Sequence, residues 1–275
     1  TNRNFRRGDK VVLVPNILPA CDRDLACKYI CNNPSLGVNY CPKAQFASSN
    51  EDGFLRAHVL VHEENIVKLP NLEDYKVFVF CELISVARAA VRRIDLNEFE
   101  QIVVWGSGNM AYLMSAVLKY YFKREVTLVG RNENRMKEFY FCQTKSLEQR
   151  ETIKDEKSLF FECVGGNNSQ AAINQIVEAA PIGSEIVLMG VPNTNPEINI
   201  RKVLEKGLVL KGTTRSEKED FVDAIKCFEN DEFYEAIVRL ILQITEVKDV
   251  YDVQKCFELE SVEKKLGKNI MYLNL

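Results

Sequence analysis

The chain has 275 residues, 46% of them hydrophobic, and a formal net charge of −3 from 36 basic and 39 acidic residues. That is enough apolar material for one large domain or two ordinary ones. Charges of both signs are mixed along the chain, with no basic block for nucleic acid, no apolar run near the ~18 residues of a membrane span and no signal-peptide pattern.

Residues 1–80 read as short strands and loops. Residues 10–15 (KVVLVP) form one predicted strand. Residues 54–70 (FLRAHVLVHEENIVKLP) alternate and carry strand formers, with a turn at Glu63-Glu64-Asn65. Between them lies a polar lobe, residues 16–52, holding Cys21, Cys27, Cys31 and Cys41. The texture changes at residues 82–94 (ELISVARAAVRRI), where the apolar spacing predicts a helix.

From there strands and helices alternate. QIVVW, EVTLVG, SLFFECVGG, EIVLMGV and LVLKGTT read as strands. NMAYLMSAVLKYYF, NENRMKEFYF, SQAAINQIVEAA and IRKVLEKG read as the helices between them, the last capped by Gly207. Short apolar strands alternating with helices predict a parallel sheet covered on both faces. The tail predicts helices in EDFVDAIKCFEN, YEAIVRLIL and VYDVQKCFELE and a last strand in NIMYLNL.

Five of the nine cysteines, Cys81, Cys142, Cys163, Cys227 and Cys256, lie in apolar or helical stretches. They read as small buried hydrophobes in a reducing cytoplasm rather than a disulfide framework. The chain begins at Thr1, and its first strong signal, GDKVVLVP, reads as the middle of a domain. Sequence upstream of it is therefore expected.

The stretch VVWGSGNMAYLM carries the first chemical signal. A strand runs through Gly106-Ser107-Gly108 into a helix. Gly106 suits the tight turn, and Gly108 lets the backbone approach a pyrophosphate. Ala111 is small enough for close helix–strand packing. The start of the following helix adds backbone N–H groups and partial positive charge. The next strand ends in Gly130-Arg131-Asn132, with no carboxylate for a ribose 2′-hydroxyl. Arg131, with Arg135 one turn on, suits a 2′-phosphate, and Gly130 leaves room for it. The expectation is NADP(H) over NAD(H).

With these motifs in order, GDKVV, the cysteine lobe, GFLRAHVLVHEENIVKLP, GSGNMA, ECVGG and KVLEKGLVLKGTTRS, the sequence resembles the medium-chain dehydrogenases/reductases. Three stretches most resemble bacterial ribulose-5-phosphate reductases: FFECVGGNNSQAAINQIVEAAPIGSEIVLMGV, EINIRKVLEKGLVLKGTTRS and ELISVARAAVRR. The resemblance implies an α/β Rossmann fold, a doubly wound parallel sheet, with a partial GroES-like β-rich catalytic domain. Residues 1–85 and 217–275 would form the catalytic domain, and 86–216 the NADP-binding domain.

It implies reduction of D-ribulose 5-phosphate to D-ribitol 5-phosphate with NADPH, feeding CDP-ribitol synthesis for teichoic acid or capsule polymers, and a homodimer or homotetramer. The alternatives are another polyol or alcohol dehydrogenase, or a non-catalytic NADP-binding protein. Gly106, Ser107, Gly108, Asn109 and Met110 would line the pyrophosphate, and Arg131 the adenosine ribose. Cys163, Val164 and Gly165 would lie near the nicotinamide-side ribose. Gly190, Val191, Thr213 and Thr214 would flank the nicotinamide.

The family's catalytic zinc draws ligands from a cysteine and a Gly-His-Glu motif upstream of GDKVV, so the zinc site is incomplete here. The only histidines are His58 and His62, and His62 reads as an exposed turn residue. Glu82 matches a family position at or beside the zinc, although a helix N-terminal acid accounts for it as well. Many relatives hold a structural zinc in the cysteine lobe. Cys21, Cys27, Cys31 and Cys41 are spaced more widely than that pattern, with Asp24 as a substitute ligand, so zinc and a loop of free thiols both stand. A substrate phosphate needs cations, and Arg88, Arg92 and Arg215 are the candidates.

Overall fold

The computed structural model describes residues 4–17, 36, 38–71, 74–153 and 156–274. Contacts divide the chain into two compact units, Thr1–Ala89 with Arg215–Leu275, and Ala90–Thr214.

In the first unit β1 (Val11–Leu13) pairs antiparallel with β4 (Ile66–Lys68), and β2 (Asn16–Ile17) with β3 (Gln45–Phe46). Buried Asn65 stitches the pairs together. Its side-chain amide donates to the carbonyls of Val14 (2.9 Å) and Asn16 (2.8 Å). The strand expected over residues 54–62 does not form, and only 66–68 of that stretch is extended into a ladder. Residues 55–60 are exposed and pair with no strand among the described residues, so the alternation has no face to bury. α1 (Cys81–Val91) turns Ile84, Ala87 and Ser85 fully inward.

The second unit is a six-stranded parallel sheet. Its strands are β5 (Gln101–Trp105), β6 (Thr127–Gly130), β7 (Gln143–Ser146), β8 (Ser158–Glu162), β9 (Glu185–Leu188) and β10 (Val209–Gly212). Their spatial order is β10-β9-β8-β5-β6-β7, so chain direction across the sheet reverses between β5 and β8. Such a reversal opens a crevice at the carboxyl ends of the two central strands.

The helices of this unit are α2 (Asn109–Ala116), α3 (Glu133–Met136), α4 (Ser169–Ala179) and α5 (Ile200–Lys206). α4 buries Ala172, Ile173, Ile176 and Val177 against Val103, Phe160 and Ile186. Each large side chain buried there stabilises the fold by about 1.5–3 kcal/mol. Beyond α2 the helix widens into a π turn at Val117–Tyr121, where the Phe122 N–H reaches the Val117 carbonyl at 3.1 Å.

The helix expected through residue 141 stops at Met136. Buried Phe139 packs edge-on against Tyr112 (5.1 Å between ring centroids), and Phe141 does the same at 5.2 Å. That aromatic packing outweighs local helix propensity. β7, reading QTKS, has no strand pattern of its own and forms by pairing with β6.

The chain then returns to the first unit with α6 (Lys218–Cys227), α7 (Asp231–Val238), β11 (Ile241–Val247), α8 (Val250–Val262) and β12 (Lys268–Leu273). The expected YEAIVRLIL helix ends at Val238. Ile241 and Leu242 belong instead to β11, which pairs in parallel with β12.

Candidate active site

In the second unit the glycine turn closes β5. Buried Gly106 holds φ +123°, a conformation that side-chain-bearing residues avoid. A Cβ there would also lie 3.0 Å from Val164 Cγ2. Gly108 is the N-cap of α2, and no side chain caps the amides behind it. Nothing lies within 4 Å of where its Cβ would point. Protein packing therefore gives no reason for a glycine at this position, whereas a dinucleotide phosphate resting on the helix start does. Ala111 is fully buried, and Ser107, Asn109 and Met110 are half-buried around the turn. These residues fit a dinucleotide.

Gly130 ends β6 beside this turn. A Cβ on it would come 2.9 Å from Met136 Sδ and 3.2 Å from Ser107 Cβ. Met136 and Ser107 thus take the space that the sequence reading reserved for a phosphate. Arg131 follows, exposed, one residue before the Asn132 cap of α3.

The loops after β8 and β9 form the opposite side of the crevice. Cys163 N–H donates to the Trp105 carbonyl (2.9 Å). Val164 N–H donates to the Glu162 carboxylate at 2.6 Å, and Gly190 N–H to its other oxygen at 3.1 Å. Gly166 N–H reaches the Val191 carbonyl at 2.8 Å, and Gly165 sits 3.0 Å, by its absent Cβ, from the same oxygen. A Cβ on Gly190 would overlap the Val164 carbonyl. Val191 and Thr214 are exposed, while Thr213 is buried, with its N–H on the Leu188 carbonyl at 3.0 Å. Thus Gly106–Met110, Arg131, Cys163–Gly165, Gly190, Val191, Thr213 and Thr214 all gather where β5, β6, β8, β9 and β10 end.

Glu162 itself was not singled out by the sequence reading. It is completely buried, and desolvation pushes its carboxyl up to about 7, against the pull of backbone N–H groups from Val164, Gly190 and Met189. The available signal was an acid set inside the apolar run LFFECV. Desolvation, reinforced by the Glu162 charge, holds the Cys163 thiol well above its ordinary range.

In the first unit Glu82 is the second residue of α1. Its side chain stays exposed, yet the surrounding protein pushes its carboxyl upward by desolvation. Arg88 is committed to Asp223 at 2.8 Å. Burial pushes the Asp223 carboxyl up, but hydrogen bonds from Arg88 and Lys226 outweigh it and hold the carboxyl below its usual value. Arg215 stacks on the Phe46 ring, 4.0 Å from its centroid. His58 is exposed, and His62 Nδ1 accepts from Glu64 N–H as the cap of a short 3-10 turn. Arg92, in the second unit, is half-buried.

Cys41 is buried beside Ala44 and Phe46, while Cys21, Cys27, Cys31 and Asp24 lie outside the described residues. Among the described residues no three metal-ligating side chains converge, so these do not fit a zinc ion.

No family model matches the chain. The crystal structure of Staphylococcus aureus TarJ in complex with NADPH superposes with a TM-score of 0.77 at 26% identity, covering 98% of this chain and 76% of that one. Galactitol-1-phosphate dehydrogenase from Escherichia coli shares the fold at TM-score 0.76 and 17% identity, covering 97% and 78% of the two chains. The sheet order and its glycine turn, with these neighbours, define a dehydrogenase of the medium-chain type. Ribulose-5-phosphate reductase 1 of Staphylococcus aureus is 30% identical over 272 residues, 97% of this chain and 76% of its own length. The ribulose-5-phosphate reductase of Streptococcus pneumoniae is 28% identical over 259 residues, 92% and 71% of the respective lengths. The chain belongs to the ribulose-5-phosphate reductase family.

Proposed function

We propose that this protein reduces D-ribulose 5-phosphate to D-ribitol 5-phosphate with NADPH, in the cytoplasm and as a homodimer or homotetramer, supplying CDP-ribitol for wall or capsule polymers. The 30% identity to ribulose-5-phosphate reductase 1 across nearly the whole chain carries this reading. The NADPH held by Staphylococcus aureus TarJ, a structural relative, supports the cofactor. NADPH, when bound, supplies the hydride that converts the C2 carbonyl to an alcohol.

The chain's own residues bind and orient. The Gly106–Met110 turn offers backbone amides to the pyrophosphate, and Arg131 meets the 2′-phosphate. Gly165 and Gly190 let the loops after β8 and β9 pack backbone to backbone, and Val191 stands exposed on the rim they form at the nicotinamide side.

Arg131→Ala is expected to weaken NADPH binding about tenfold and leave NADH binding unchanged, as loss of one charge-assisted contact implies. Calorimetric titration with both cofactors checks this. Equal affinity of the native protein for NADH and NADPH would overturn the cofactor assignment. Turnover of ribulose but not ribulose 5-phosphate would move the protein to the unphosphorylated polyol dehydrogenases.

A further inference from the structure

We propose that Glu162 is a positioning residue for the cofactor, its carboxylate clasping the loops after β8 and β9 so that their backbones present one fixed rim to the nicotinamide half of the dinucleotide. This rests on the NADPH reading above. Glu162 is the last residue of β8, at the strand-order reversal, and pairs in register with Trp105, the residue before the glycine turn. One carboxylate oxygen accepts from Val164 N–H at 2.6 Å and the other from Gly190 N–H at 3.1 Å, a donor it shares with the Glu162 main-chain carbonyl at 3.1 Å, so the side chain reinforces a residue that touches both loops.

An acid is a costly choice for such a tie. The carboxylate is completely buried and bonded only to backbone amides, where a neutral side chain would avoid burying charge. What it gains, once ionised above about pH 7, is stronger bonds to both amides, because hydrogen bonds to an ionised acceptor are shorter and stronger than neutral ones.

The seam it holds is tight. The Gly190 Cα faces the Val164 carbonyl with no space for a Cβ, and a Cβ on Gly165 would stand 3.0 Å from the Val191 carbonyl oxygen. Val164 in turn rests against Gly106, its Cγ2 3.0 Å from where a Cβ would sit. Removing the carboxylate therefore frees the Val164 N–H outright while Gly190 N–H keeps the Glu162 main-chain carbonyl, so the Val164 backbone shifts first and the pyrophosphate turn is reached only through it. The adenosine end, at Arg131 beyond β6, has no bond to Glu162.

Two ligands separate these ends. NADPH spans the whole crevice, while adenosine 2′,5′-bisphosphate fills only the adenosine side. Calorimetric titration of the full chain with each is the test, on the native protein, Glu162→Ala and the isosteric Glu162→Gln. Both variants should bind NADPH about tenfold or more weakly, the loss expected for one or two charge-assisted hydrogen bonds, and adenosine 2′,5′-bisphosphate within about twofold of native. The shift in reduced-nicotinamide fluorescence on binding should shrink in step.

Equal weakening of both ligands would mark Glu162 as a general stabiliser and overturn the proposal. Unchanged NADPH affinity in Glu162→Gln would overturn it too. A native protein that binds adenosine 2′,5′-bisphosphate but not NADPH, or neither, would overturn the cofactor reading and this proposal with it.

Discussion

The second unit builds its crevice from backbone, and the first unit offers side chains. In residues 90–214 the central strands β5, β6 and β8 are short and buried on both faces, and the strand ends gather amides and glycines in one place because strand order dictates it. In the first unit the N-terminal strands are two or three residues long, and three of its described candidate side chains are engaged elsewhere: Arg88 by Asp223, Arg215 by Phe46, His62 by its own turn. A site made of main chain follows from topology. A site made of side chains needs convergence that no local pattern announces.

Three substitutions probe that contrast, the largest effect first. Gly190→Ala puts a methyl into the Val164 carbonyl, where neither backbone can give way. We expect a loss of about 3 kcal/mol in urea unfolding. A loss under about 0.5 kcal/mol would mean that the rim is plastic and the contrast between the units false.

Glu162 sharpens the comparison through pH. Its carboxyl is raised from 4.5 to about 7, so the folded protein holds this proton more tightly than the unfolded chain. The resulting stabilisation is complete below pH 4.5 and is lost as pH rises through about 7. It amounts to about 2 kcal/mol between roughly pH 5 and pH 8. Urea midpoints of the native protein should fall over that range more than those of Glu162→Gln. Parallel pH profiles would contradict the buried-acid account.

Asp223→Asn should act least and with the opposite sign. The Asp223 carboxyl is lowered, so its contribution is present above pH 3.8 and lost as pH falls through its folded value. Its side chain is 32% exposed, and solvent screening limits the loss at neutral pH to about 1 kcal/mol. The difference from native protein should vanish in acid.

The parallel sheet was legible because its strands are continuous apolar runs between helical periods, and the glycine turn because its context named it. β7 and β11 were missed for different reasons. QTKS becomes a strand through its partner β6 rather than its composition, whereas ILQITEV carries strand formers whose first residues were read as the end of the YEAIVRLIL helix. Residues 54–62 failed in the converse way, since alternation without a neighbouring strand secures nothing. Glu162 was overlooked because an acid at a strand end reads as a solvated tip, and only burial reveals that it faces inward. Arg88 and Arg215 read as cations available to a phosphate until the structure gave each a neighbour.

The only tryptophan in the chain, Trp105, ends β5, buried beside Gly106 and across from Glu162. Every photon of indole emission therefore comes from the floor of the crevice. Under the NADPH binding proposed above, a reduced nicotinamide in that crevice would accept this energy. On that binding mode, the single tryptophan would serve as an optical gauge of occupancy, readable without a label in a simple fluorescence titration.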